Sequence, residues 1–342
     1  MAFIKGPEDG SLCLLVRGES VMSLESYVIQ TNGLGKTYGE VKALDGLDLK
    51  VPKNSIFAFL GPNGAGKTTT IKLLLGLARP TIGTATVLGR DIVADNNEIR
   101  RKVGYLAQQP KFYKELSARE TLRFAASLFF KGPHDLIEER IDHLLSVVGL
   151  EDKGNRPIDG FSGGEIQRLG IAQAQVNFPE LLILDEPAAG LDPEGREQVL
   201  KIMDSLRAET TIFYSTHILD DVQRVSDRVA ILNKGNLIAQ APIEELLVGS
   251  EGVAYTLVLE GDTQKAYSSL SAEKWVSSIT ERKEKGQTHW IVTVDDTSVA
   301  KKRLLRTVLK DDGVDVVDFG LKQYELEEIF MRLVEEDDIS VE

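Results

Sequence analysis

One stretch constrains this 342-residue chain more than any other: Gly61-Pro62-Asn63-Gly64-Ala65-Gly66-Lys67-Thr68, entered from the apolar run Ile56–Leu60 and followed by Thr69-Thr70-Ile71-Lys72-Leu73-Leu74-Leu75. The order reads strand, glycine-rich loop, helix. Glycines let successive backbone N–H groups curl around phosphates, the helix start adds a partial positive charge, and Lys67 adds a full one. The Thr68 hydroxyl can then be placed on Mg²⁺. A glycine turn joining a strand to a helix is the plainer reading, but Gly61, Gly66, Lys67 and Thr68 standing together in register speak against it. The segment predicts a nucleoside triphosphate site.

The rest of the composition narrows the setting of that site. At this length two domains are expected rather than one core. The net charge is -13, from 53 acidic against 40 basic residues, and no dense Lys/Arg block interrupts it, which argues against nonspecific nucleic-acid binding. Cys13 is the single cysteine, so no intrachain disulfide can form, and no Cys/His cluster has metal-ligand spacing. A reducing compartment, the cytoplasm, is expected. No apolar run approaches the roughly 18 residues needed to cross a bilayer, so any membrane role has to come through a partner. The segment Leu12–Val16 has acidic neighbours Glu8, Asp9 and Glu19 and lacks a small-residue cleavage pattern, which does not fit a signal peptide. Residues 1–26 read as an N-terminal extension with Met22 as an alternative initiator, or as carrying a short ordered strand.

Along the chain, Val28-Ile29-Gln30 and Ala43–Leu49 read as strands, with Tyr38 in the turn-rich stretch between them; its ring suits either stacking on a base or closing a turn. Gly83–Gly89 and Val103–Ala107 are further strands, the second ending on Gln108, a residue that can reach a metal or water but is as readily a solvated turn glutamine. From Ser117 the pattern turns helical: Ser117-Ala118-Arg119-Glu120 has capping-box spacing, and Leu122, Ala125, Ala126, Leu128 and Phe129 are expected on one face. Residues from about 110 to 177 form a helical insertion in an α/β core. Within it, Ser162-Gly163-Gly164-Glu165 starts a helix and exposes N–H groups as an anion site, though an ordinary capped helix would read the same way.

Leu181-Leu182-Ile183-Leu184 delivers Asp185 and Glu186 at a strand's C-terminal end, where open α/β sheets bind ligands. Alternation along the strand separates their roles, Asp185 near Mg²⁺ and Glu186 on the attacking water. A tight turn, Ala189–Pro193, leads into the next helix. Of the four histidines only His217 follows a core strand, Thr211–Ser215, at a position from which a γ-phosphate can be reached. A hairpin turning at Gly235 closes this part. Gly249-Ser250-Glu251-Gly252 is the best domain boundary, and beyond it the pattern β-α-β-β-α-β plus a last helix predicts a small ferredoxin-like α+β domain.

Taken together, residues 27–248 resemble the nucleotide-binding subunits of ATP-binding-cassette (ABC) transporters. Gly61–Thr68 is similar to the Walker A loop, Leu182–Glu186 to Walker B, Gln108 to the Q-loop, Asp192 to the D-loop aspartate, His217 to the switch histidine, and Tyr38 to the adenine-stacking aromatic. Ser162–Glu165 resembles the Leu-Ser-Gly-Gly-Gln signature, with Phe161 in place of leucine and Glu165 in place of glutamine. The resemblance implies a P-loop ATPase core with a helical subdomain. It implies ATP held by residues 61–69 with Mg²⁺ at Thr68, Gln108 and Asp185, and hydrolysis through Glu186, His217 and Gln108. It further implies a head-to-tail pair, formed with a second copy or another ABC ATPase subunit, in which Ser162–Glu165 of one chain cover the ATP of the other. A membrane permease would dock in a groove lined by residues such as Phe112 and Tyr113. The tail Tyr324–Phe330 resembles that of the multidrug and polysaccharide-export branch, which favours export from a site on the inner face of the membrane. A soluble ABC-type ATPase with a regulatory or non-transport role is the alternative.

Overall fold

The computed structural model describes residues 3–5, 12–14, 26–248, 253–284, 286–311, 313–322 and 326–340, with 3–5, 12–14, 248 and 336–340 described by backbone alone. Met22, the boundary segment Gly249–Gly252 and the residues Tyr324 and Glu325 of the tail lie outside them. Two three-residue strands, β1 (Phe3–Lys5) and β2 (Leu12–Leu14), pair antiparallel. The chain divides into two compact units between Gln240 and Ala241.

The first unit is built on two sheets. Its antiparallel sheet contains β3 (Tyr27–Tyr38), β4 (Val41–Leu47), β5 (Lys50–Pro52), β7 (Ile82–Val87) and β8 (Arg90–Asp91). The other sheet runs in the order β13-β12-β6-β11-β10-β9, from β13 (Asn236–Pro242) and β12 (Arg228–Asn233) through β6 (Ile56–Leu60), β11 (Thr211–Thr216) and β10 (Leu181–Asp185) to β9 (Val103–Leu106). From β12 to β9 every pairing is parallel. Parallel strands covered on both faces need continuous apolar side chains, and every residue of β6, β10 and β11 is buried. Phe213 of β11 packs on Phe57 and Phe59 of β6 at centroid distances of 5.9 and 5.3 Å. The same core takes in Ile71, Leu73 and Leu74 of α1 (Lys67–Leu74) and Leu34, Leu44 and Leu47 of the antiparallel sheet.

Short helix α2 (Asn96–Lys102) precedes β9. Between β9 and β10 come α3 (Ala118–Ser127), α4 (His134–Val147) and α5 (Gly163–Ala174). Ser117 and Glu120 form the full reciprocal capping box. The expected single apolar face of α3 is only partly present: Leu122, Ala125 and Ala126 are buried, whereas Leu128 and Phe129 are exposed. The helix stops at Ser127 with Leu128 as its C-cap, so the helical period that would have carried these two side chains inward has already ended. After β10 come α6 (Pro193–Leu206) and, past β11, α7 (Leu219–Val225).

The second unit begins with α8 (Ile243–Val248), which packs with the last helix, α11 (Leu326–Ser340). The glycines of Gly249–Gly252 place the boundary after α8, whereas the compact units divide before it. Between these helices come β14 (Val253–Gly261), α9 (Gln264–Ser271), β15 (Val276–Glu284), β16 (Gln287–Val294), α10 (Thr297–Val308) and β17 (Val314–Leu321). The strand order is β15-β16-β14-β17 with every pairing antiparallel, each β-α-β half straddling a strand of the other. Leu257, Trp290 and Val292 of the sheet meet Ala266, Leu270, Ala300 and Leu304 of α9 and α10 in a core of its own.

Candidate active site

The first unit brings its chemistry to one end of the parallel sheet. The β6 strand ends at Leu60, and the chain turns through Gly61–Gly66 into α1. This loop is pressed from behind: a Cβ on Gly61 would lie 2.3 Å from the Leu232 carbonyl oxygen, and one on Gly66, where φ is +110°, 2.6 Å from that of Ala43. Only glycine fits so close to fixed backbone. The turn between β12 and β13 completes the clamp: Gly235 N donates to the Ala65 carbonyl (3.0 Å), and the Gly235 carbonyl accepts from Asp45 N (2.9 Å). Pro62, Asn63 and Gly64 face outward.

Lys67 opens α1 with its ammonium buried, donating to the carbonyls of Gly61 (2.6 Å) and Pro62 (3.2 Å) and lying 3.1 Å from Glu186 Oε1. Thr68 Oγ1 donates to Asp185, 3.0 Å from Oδ2, while Thr69, next along the same turn, is half-buried. Asp185 ends β10 and Glu186 leaves it with φ +51°, a left-handed conformation uncommon for a non-glycine residue. The two carboxylates thus part company through a backbone turn as well as through strand alternation. Glu186 Oε2 meets His217 Nδ1 at 2.8 Å, so one buried carboxylate spans the loop lysine and the histidine after β11.

Ser215 is a member of this cluster that the sequence reading did not find. Its hydroxyl donates to Asp185 Oδ1 (2.6 Å) and accepts from Glu186 N (2.9 Å). The pairing register sets Ser215 directly beside Asp185; the one hint in the sequence was a hydroxyl residue two places before His217. Asp185 also acts outward: burial first, and then the negative field of Asp185, push the Tyr105 phenol on β9 up from its ordinary value.

The remaining expected residues stand apart from this centre. Gln108 is exposed just past β9 and makes no side-chain hydrogen bond to the carboxylates. Tyr38 is the last residue of β3, paired with Val41, and not in a loop, because β3 runs on through residues read as turn formers; its half-exposed ring has the Lys36 ammonium 4.8 Å from its centroid. Asp192 caps α6, accepting from Gly195 N at 3.0 Å. Ser162 caps α5 and, with Gly163, Gly164 and Glu165, belongs to a separate helix start; among the described residues no hydrogen bond or ion pair joins it to Lys67, Asp185 or Glu186. No group of three or more His, Cys, Asp or Glu side chains among the described residues could hold a metal, and no helix is long and apolar enough to cross a membrane.

Residues 44–189 match the ABC transporter family model. Over 311 residues the chain is 35% identical to the bacitracin transport ATP-binding protein BcrA of Bacillus licheniformis, covering 90% of this chain and 98% of that protein. The chain belongs to the ABC transporter ATP-binding family. It is 36% identical over 312 residues to the daunorubicin/doxorubicin resistance ATP-binding protein DrrA of Streptomyces peucetius, covering 89% of this chain and 92% of that one. Among solved structures it resembles cbiO1 of Clostridium perfringens, part of the ABC transporter complex cbiONQ, with TM-score 0.61 at 29% identity over 66% of this chain and 93% of that one. It also resembles the ATP-binding cassette MJ0796 in a dimeric post-hydrolysis state bound to ADP and Pi, with TM-score 0.58 at 25% identity over 63% and 98% of the two chains. As an ABC ATPase it binds and hydrolyses ATP.

Proposed function

We propose that this ABC ATPase powers export of a substrate through a separate integral-membrane permease, working at the inner face of the cell membrane. One observation carries the chemical part of the reading: Lys67, Glu186 and His217 are joined in sequence by contacts of 3.1 and 2.8 Å at the ends of β6, β10 and β11. The phosphate-binding cation and the base for water then share one point. The Glu186 carboxylate is placed to accept the proton of an attacking water, and His217 holds that carboxylate from its other side. Lys67 and the N–H groups at the start of α1 supply positive charge to the phosphates.

The Thr68–Asp185 pair fits Mg²⁺. This ion takes one or two protein oxygens and fills its octahedron with water and phosphate oxygens, so a multi-carboxylate cage is not required. When bound, Mg²⁺ neutralises phosphate charge. Thr68 would contribute its hydroxyl and Asp185 would orient that hydroxyl and the metal's waters.

The separation of Ser162–Glu165 from the phosphate loop within one chain supports a head-to-tail pair, in which these residues close over the nucleotide of a second ABC subunit. Export is supported by the relatives named for bacitracin transport and for daunorubicin and doxorubicin resistance. The reading is tested by co-expressing the chain with its genetically linked membrane protein and measuring ATP-dependent movement of antibiotic substrates in inverted vesicles. Uptake into the vesicles that needs both proteins, and that Glu186→Gln abolishes, is expected; vesicles indifferent to the ATPase would refute it.

A further inference from the structure

Glu165 places a carboxylate where the resembling signature has an uncharged glutamine. A free carboxylate beside a phosphate would oppose its approach, because like charges repel most strongly where an interface is desolvated. Both oxygens of Glu165 are, however, engaged. Oε2 accepts from Ser162 N at 2.8 Å, while Glu165 N donates back to Ser162 Oγ at 3.3 Å, closing a capping box. Oε1 receives the ammonium of Lys153. The Glu165 side chain is buried and that of Lys153 half-exposed.

Lys153 ends the short 3-10 turn Glu151–Lys153, which is itself held in place. Its N–H donates to the Leu150 carbonyl (3.0 Å), and the Gly154 carbonyl next to it accepts from Arg119 N (2.8 Å) at the start of α3. Burial pushes the Glu165 carboxyl up, but the Lys153 ammonium and the Ser162 N–H outweigh it, with Arg156 adding to them, and hold it below the ordinary carboxylate range. Glu165 is therefore an anion with its charge matched inside its own chain.

We propose that Lys153 is a positioning residue for the nucleotide of the partner subunit: it draws Glu165 back and cancels its charge, leaving the Ser162 hydroxyl and the N–H groups of Gly163 and Gly164 open to an anionic phosphate. The proposal rests on the two-subunit site proposed above. It makes Lys153 and Glu165 one functional unit, so that the loss of the first is repaired by neutralising the second.

The test uses the full-length chain carrying Glu186→Gln, so that ATP is retained, and measures by sedimentation equilibrium with Mg-ATP the dissociation constant of the dimer. Lys153→Met is expected to weaken dimerisation by about tenfold or more. Lys153→Arg, which keeps the charge, is expected to stay within about threefold of the parent. The deciding arm adds Glu165→Gln to Lys153→Met, which is expected to recover dimerisation, because glutamine makes the same capping contact without charge. A Lys153→Met loss that Glu165→Gln does not recover would show a merely structural role and overturn the proposal alone, as would Lys153→Met binding like the parent. A parent that stays monomeric in Mg-ATP would instead overturn pairing between two copies of this chain, on which the proposal rests, and the proposal with it.

Discussion

Lys67, Glu186 and His217 form a chain of contacts in which each link has one job, so single substitutions should separate binding from turnover. Glu186→Gln keeps a hydrogen-bonding side chain yet cannot take up a proton; it is expected to bind ATP and lose at least about a hundredfold in steady hydrolysis, checked by phosphate release beside titration calorimetry. Near-normal turnover would remove Glu186 from the role of base. Lys67→Ala deletes the buried ammonium behind the phosphate loop and leaves His217 as the remaining partner of Glu186. Its ATP affinity is expected to drop by about tenfold or more, about 1.4 kcal/mol, in the same calorimeter. Most of this centre was legible in the sequence, since a glycine loop, two carboxylates after an apolar run and a histidine after another each mark a strand end. Ser215 and Lys153 were not. Ser215 reaches Asp185 through the lateral register of β10 and β11, and Lys153 reaches Glu165 through an irregular turn; neither spacing leaves a period along the chain.

At the scale of elements, α3 and α4 are tied by charge as well as by packing. Glu138 of α4 takes Arg123 Nε at 2.6 Å on one oxygen and Arg119 Nη1 at 3.1 Å on the other. The Arg123 hydrogen bond first, opposed by partial burial and reinforced by Arg119, holds the Glu138 carboxyl below its ordinary range. A carboxylate lowered in this way stabilises the fold above its unfolded pKa, about 4.3, and that stabilisation is lost as pH falls through the lower folded value. Glu138→Gln is thus expected to cost about 1 kcal/mol near neutrality and little in acid, measured as urea midpoints at about pH 7 and about pH 3. An equal cost at both would mean that shape rather than charge joins the helices. The elements were easiest to read where burial was complete: β6 and the first four residues of β10 are unbroken apolar runs, and β11 carries Ile212, Phe213 and Tyr214 at its centre, because both faces are covered. The sequence pattern misleads at an end, where Leu128 and Phe129 continue the apolar period past the last turn of α3, and at Tyr38, where ladder pairing extends β3 through Gly33 and Gly35.

For the whole molecule, the residues assigned to nucleotide chemistry fall in the unit that ends at Gln240, and each unit has its own core. A chain ending at Val248 is expected to bind ATP within about tenfold of the full-length protein, about 1.4 kcal/mol, by titration calorimetry on soluble material; a larger loss would make the second unit part of the site. The clamp behind the phosphate loop has a consequence for protein engineering. A two-residue hairpin tip such as Lys234–Gly235 is where one would splice a reporter or an affinity tag, since surface turns usually accept insertions. Here the tip is bonded to Ala65 on one side and Asp45 on the other, and the strand leading into it sets Leu232 against Gly61. A cargo spliced there would pull on the loop that grips phosphate, however far it hung into solvent. Spliced beside Gly132, which is exposed between α3 and α4, the same cargo would leave that grip alone, and a linker-insertion scan scored by ATP affinity would map the difference.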